Sequence, residues 1–124
     1  MNFTNTMVKR ILILDDDHSN AEVLSMIMEQ GGFEAAHIQS SRKLLPLIKD
    51  FKPHVLFLDI QLGQSDGRLI CNELKANKAT QNLPIVLISA LLPTQIEKIP
   101  SKEDGIINKP FDMDEVIGMV KRLI

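Results

Sequence analysis

The chain has 124 residues and a mass of 13.9 kDa, a length that predicts one domain over residues 1–124 with no room for a barrel enzyme or a separate output domain. Hydrophobic residues at 44% and charged residues at 24% are ordinary globular proportions, and a net charge of −2 argues against nucleic acid or an anionic membrane as a bulk electrostatic partner. No apolar run approaches the ~18 residues of a membrane span. Residues 1–7 lack the apolar core of a signal peptide and read as a disordered extension, and the single cysteine, Cys71, leaves no internal disulfide. Together these features predict a cytoplasmic protein.

In chain order, residues 10–14 (RILIL) form a nearly unbroken aliphatic run, the pattern of a strand buried on both faces. Residues 19–30 come next, with Ala21, Leu24 and Met28 on one helical stripe, Val23 and Ile27 beside it, and Gly31-Gly32 as the stop. The weakest strand is 34–38 (EAAHI), because two alanines lower its β propensity. Segment 42–50 is helical in pattern, but Pro46 should shorten or kink it by removing a backbone donor. A buried strand at 55–58 (VLFL) and a helix at 68–76 carrying Leu69, Ile70 and Leu74 come after it. Asp66-Gly67 reads as the turn into that helix. A further strand lies at 85–88 (IVLI). Segment 91–104 is broken by Pro93 and Pro100 and has room for a turn or two of helix at most. Residues 105–107 form a last short strand, and 113–123 a final helix that opens on Asp112 with Glu115 three residues on. The six methionines read as gap fillers in helix cores. His18, His37 and His54 share no ligand spacing.

This β-α alternation predicts a doubly wound, five-stranded parallel sheet with helices on both faces. Ligands of such sheets bind beyond the carboxyl ends of the strands. The residues just past each strand are therefore informative. Asp15, Asp16 and Asp17 lie past the first, Asp59 past the third, Ser89 past the fourth and Lys109 past the fifth. Asp17 reads as a helix cap. The remaining three carboxylates repel one another more than one lysine offsets, and a divalent cation relieves that repulsion. All-oxygen donors with no His or Cys among them suit Mg2+ or Mn2+. A metal, a carboxylate, a hydroxyl and an amine together are what phosphoryl transfer to an aspartate requires.

With these residues in view, the chain resembles the receiver domain of two-component response regulators. The matching segments are ILILDDD at 11–17, PHVLFLDIQLGQSDG at 53–67, LPIVLISA at 83–90 and GIINKPF at 105–111. The resemblance implies a flavodoxin-like (βα)5 fold with strand order 2-1-3-4-5. It implies Asp59 as phosphoacceptor; Asp15, Asp16, Asp59 and the backbone carbonyl of Gln61 as Mg2+ (or Mn2+) ligands; and Ser89 and Lys109 as partners of the phosphoryl group. The Lys109–Pro110 bond is expected to be cis. The implied donor is a sensor histidine kinase or a His phosphotransfer protein. Output would pass to a downstream protein, from a monomer or a weak phosphorylation-dependent dimer acting alone, with no nucleic acid and no membrane as partner and no enzymatic turnover beyond its own aspartyl phosphate.

The sequence also departs from the family pattern. Gly63 stands where the acceptor loop normally has proline, which implies a less rigid loop. Ile106 stands where an aromatic ring normally swings inward, and 91–104 is short. These departures leave a non-switching scaffold as an alternative. A second alternative is a small phosphatase of the haloacid-dehalogenase type, since Asp15-Asp16-Asp17-His18-Ser19 resembles that family's opening motif with Asp15 as nucleophile.

Overall fold

The computed structural model describes residues 7–124; the extension expected at 1–7 lies outside it except for Met7. The elements in order are β1 (Arg10–Leu14), α1 (His18–Gln30), β2 (Glu34–Ile38), a single 3-10 turn (Ser41–Lys43), α2 (Leu44–Phe51), β3 (Val55–Asp59), β4 (Gln61–Leu62), β5 (Ser65–Asp66), α3 (Gly67–Ala76), β6 (Ile85–Ser89), α4 (Pro93–Ile96), β7 (Gly105–Asn108) and α5 (Met113–Leu123). The main sheet has the order β2-β1-β3-β6-β7, every pair parallel. Once the small β4–β5 hairpin is set apart, this is the expected 2-1-3-4-5 order.

Side chains alternate across the sheet and build two apolar layers. Ile11, Ile13, Phe57, Val86, Ile88 and Ile107 face α1 and α5. Leu12, Leu14, Leu56, Leu58, Ile85 and Leu87 face α2 and α3. The central strands β3 and β6 are buried at every position, which is why they read as unbroken aliphatic runs. β2 is the half-exposed edge.

Pro46 sets where α2 begins, two residues later than the expected 42–50. A 3-10 turn takes residues 41–43, so the α-helix starts at Leu44 and the proline falls in its first turn, where no intrahelical donor is needed. The helix stripes are narrower than their aliphatic content suggests. α1 buries Ala21, Leu24, Ile27 and Met28, but Val23 is exposed. α3 buries Cys71 and Leu74, while Leu69 points to solvent. Each helix covers the sheet with one face, so an aliphatic residue off that face stays wet. Only some methionines fill gaps: Met28 and Met119 are buried, but Met26 and Met113 are exposed.

Caps fix the helix starts. Asp17 accepts the Asn20 N–H, Asp66 accepts the Arg68 N–H, and Asp112 accepts those of Asp114 and Glu115. Gly32 carries the positive φ of 91° that ends α1. His54 is structural: its Nδ1 accepts the Arg10 N–H at 2.9 Å, and burial holds its pKa below the ordinary histidine value.

Candidate functional site

Parallel register brings the last residues of β1, β3, β6 and β7 to one edge. Asp59 pairs with Ile88 and Ser89 pairs with Asn108, so the residues just after each strand converge. Asp15 and Asp59 are almost completely buried, and Asp16 is exposed at the rim. One carboxylate oxygen from each of the three lies within 4.8 Å of the others. Lys109 Nζ donates to Asp59 Oδ2 at 3.0 Å and stands 3.4 Å from Asp15 Oδ2. The Lys109–Pro110 bond is cis.

The two buried carboxylates are held differently. Asp59 accepts the Gln61 N–H on Oδ1 at 3.1 Å and Lys109 on Oδ2. Asp15 accepts the Asp17 N–H on Oδ1 at 2.9 Å, but its Oδ2 is buried without a hydrogen-bond partner. The 3.4 Å approach of Lys109 is an ion pair that is not aligned as a hydrogen bond. Burial pushes the Asp15 carboxyl up to about 6; Asp59 adds to the rise, while the Asp17 N–H and Lys109 oppose it. For Lys109, burial acts downward, but the hydrogen bond and charge of Asp59 and the charge of Asp15 outweigh it and hold the ammonium above its ordinary value.

An orphaned buried carboxylate oxygen beside two further carboxylates, with no sulfur or imidazole among them, matches a hard divalent cation. The chemistry of the donor set therefore fits Mg2+ or Mn2+.

Ser89 is buried, and its Oγ accepts the Leu91 N–H at 2.8 Å. The hydroxyl thus braces the loop beyond β6, and its own hydrogen stays available to donate. Gln61 lies in β4, opposite Asp66. Gly63 takes a φ of 67°, which proline cannot adopt, and with Gln64 closes the two-residue turn of the β4–β5 hairpin. Ile106 is partly buried on the α2–α3 side of the sheet. Cys71 is buried, and burial pushes its thiol up to about 11, so it is chemically inert.

Arg68 escapes a reading of the sequence. It is 7% exposed, forks onto Asp66 through Nε (3.0 Å) and Nη2 (2.7 Å), and reaches the carbonyls of Gln95 and Ile96 through Nη1. The only sequence signal is an acid two residues before it at a helix start.

The fold and this strand-end cluster define a receiver domain. The chain belongs to the response regulator receiver family: the family described as "Response regulator receiver domain" matches residues 11–121. The DNA-binding response regulator MtrA of Mycobacterium tuberculosis is 32% identical over 119 residues, covering 94% of this chain and 51% of MtrA. The DNA-binding dual master transcriptional regulator RpaA of Synechocystis is 29% identical over 117 residues, 93% of this chain and 48% of RpaA. The chain thus spans about half the length of these curated relatives. Among solved structures, the receiver domain of NtrX from Brucella abortus superposes with a TM-score of 0.80 at 30% identity, covering 91% of this chain and 96% of that one. The signal receiver domain of a signal transduction histidine kinase from Syntrophus aciditrophicus superposes at 0.84 with 26% identity, covering 94% and 89%. Among the described residues, no helix is long and apolar enough to cross a membrane.

Proposed function

We propose that this receiver domain accepts a phosphoryl group on Asp59 from a histidine kinase or a His phosphotransfer protein in the cytoplasm, and signals by protein–protein contact. The observation that carries this reading is the setting of Asp59. It is a buried carboxylate with one oxygen on Lys109 and the other on the Gln61 N–H, beside two further carboxylates. An oxygen of Asp59 attacks phosphorus, and the bond from phosphorus to the donor nitrogen breaks. Lys109 keeps its proton and pairs with the negative phosphoryl oxygens. Ser89 donates its free hydroxyl hydrogen to one of them. Asp15, Asp16 and Asp59, with the Gln61 backbone carbonyl, would hold Mg2+ (Mn2+ also suits the set), which supplies positive charge to the phosphoryl oxygens. The only turnover is formation and hydrolysis of this aspartyl phosphate. The position of the site at the sheet edge, with Asp16 exposed at its rim, supports a protein as donor and as reader.

The phosphatase reading is disfavoured by the same geometry. Asp15 Oδ2 is buried without a hydrogen-bond partner beside two further carboxylates, a setting suited to holding a cation, and attack by Asp15 would leave the Lys109 hydrogen bond to Asp59 without a role.

Incubation with Mg2+ and acetyl phosphate, read by intact mass, tests the proposal. Addition of one phosphoryl group to the wild-type chain and none to Asp59→Asn is the expected result. Modification that persists in Asp59→Asn, or that is lost only in Asp15→Asn, overturns it.

A further inference from the structure

Two loops border the acceptor, one after β3 and one after β6, and Arg68 is hydrogen-bonded into both. On one side, Asp59 Oδ1 takes the Gln61 N–H, Gln61 pairs with Asp66 across the hairpin, and the Asp66 carboxylate is gripped by the Arg68 fork. On the other, Arg68 Nη1 donates to Gln95 O at 3.0 Å and Ile96 O at 3.2 Å. These carbonyls close the single turn of α4, in the segment that Ser89 braces through Leu91. An arginine serving only to pair with a cap residue would stay in solvent. This one is buried and spends its third nitrogen on a segment 27 residues away. A planar guanidinium holds a carboxylate bidentately and still has a donor left, which an ammonium cannot do in the same geometry.

We propose that Arg68 is a positioning residue for the acceptor site: through Asp66 it fixes the hairpin that carries Gln61, through the Gln95 and Ile96 carbonyls it fixes α4, and the two loops therefore shift together. The kinetic part of this proposal rests on Asp59 being the phosphoacceptor; the mechanical tie does not. The tie also offers a route from Asp59 to the α4 surface that needs no swinging aromatic ring, which this chain lacks at Ile106.

The decisive variant is Asp66→Asn in the full chain. Asparagine still caps α3 but cannot form the charged fork, and Asp66 itself makes no hydrogen bond to segment 91–99 among the described residues. Amide hydrogen exchange is expected to rise about tenfold in both 60–66 and 91–99 while β1 and β3 stay protected. Arg68→Lys should behave likewise. With acetyl phosphate and Mg2+, the maximal rate of Asp59 modification should fall about fivefold to tenfold at an unchanged half-saturating concentration, since the loops are misplaced rather than the donor repelled. Faster exchange confined to 60–66, or an unchanged maximal rate, overturns the proposal. If the wild-type chain takes no phosphoryl group at all, the reading of Asp59 fails, and joint or separate loosening of the two loops still decides the tie.

Discussion

Gly67 lies flat against the backbone of Asp59: a Cβ built on it would collide with the Asp59 carbonyl oxygen and stand 2.9 Å from its carbon and 3.0 Å from the Ile60 Cα. The obstacle is backbone in a buried strand end, which cannot yield as a side-chain tip would. The Gly67 N–H also donates to Ile60 O at 2.8 Å. Gly67→Ala should therefore destabilise the fold by about 2–3 kcal/mol, in the range of overpacked cores, and should slow Asp59 modification in whatever fraction stays folded. Urea denaturation followed by circular dichroism measures the first effect. An alanine variant as stable as the parent would show that the close approach is not required.

Asp15 makes the metal-free protein sensitive to pH. Its pKa is about 6 in the folded chain against 3.8 for a free carboxyl, so between those values the folded state holds a proton that the unfolded state releases. The resulting stabilisation is complete below the unfolded value and is lost as pH rises through about 6. In EDTA, unfolding free energy should fall between pH 5 and pH 7.5 by about 1.4 kcal/mol from this group, the upper half of a loss that begins near pH 4. Mg2+ should flatten that slope, because a cation takes the proton's place. Denaturation curves at several pH values, with and without Mg2+, check both statements, and Asp15→Asn should abolish the dependence.

Removing Lys109 strands two buried carboxylates. Lys109→Met should cost about 3 kcal/mol at pH 7.5 in metal-free buffer, as broken buried pairs do. The penalty should shrink toward pH 5, where protonation relieves the repulsion. A penalty independent of pH would mean that lost packing, not lost charge, explains it.

Asp104 holds the entrance to β6. Its Oδ2 accepts the Ile85 N–H and Lys75 Nζ, each at 2.8 Å, and its own N–H donates to Ile85 O at 2.7 Å. Asp104→Ala should destabilise by about 1–2 kcal/mol, whereas Asp104→Asn, which keeps an acceptor for Ile85, should lose less. Thermal unfolding of the two variants separates the backbone bond from the ion pair.

Mg2+ should raise the melting temperature of the wild-type chain. At a hundredfold excess over its dissociation constant, a ligand of the folded state adds about 2.7 kcal/mol. Asp16→Asn should weaken this gain with little effect on metal-free stability, because the Asp16 side chain is exposed and makes no hydrogen bond among the described residues. An equal gain in the variant would remove Asp16 from the ligand set.

Much of this was legible in the residues because burial on both faces leaves an unmistakable trace. β1, β3 and β6 carry aliphatic runs because nothing else fits between two helix layers, and Asp15, Asp59, Ser89 and Lys109 stand where the strands stop. The hairpin of β4 and β5 was not legible, since two-residue strands have no period to detect. Gly63 marks its turn only once its left-handed backbone is seen. Arg68 was hidden for a related reason: its burial depends on carbonyls 27 residues further on. Val23 and Leu69 misled in the opposite direction, because helical spacing says which residues share a face but not how wide a face the sheet will cover.

The two apolar layers have a consequence for how substitutions combine. Leu87 and Ile88 are neighbours in the chain, yet the sheet separates them: Leu87 packs toward α2 and α3, Ile88 toward α1 and α5. Truncating both should give nearly additive losses, while Ile88 and Val116, distant in sequence but in one packed layer, should couple. Thermodynamic distance in this molecule is measured through the sheet and not along the chain.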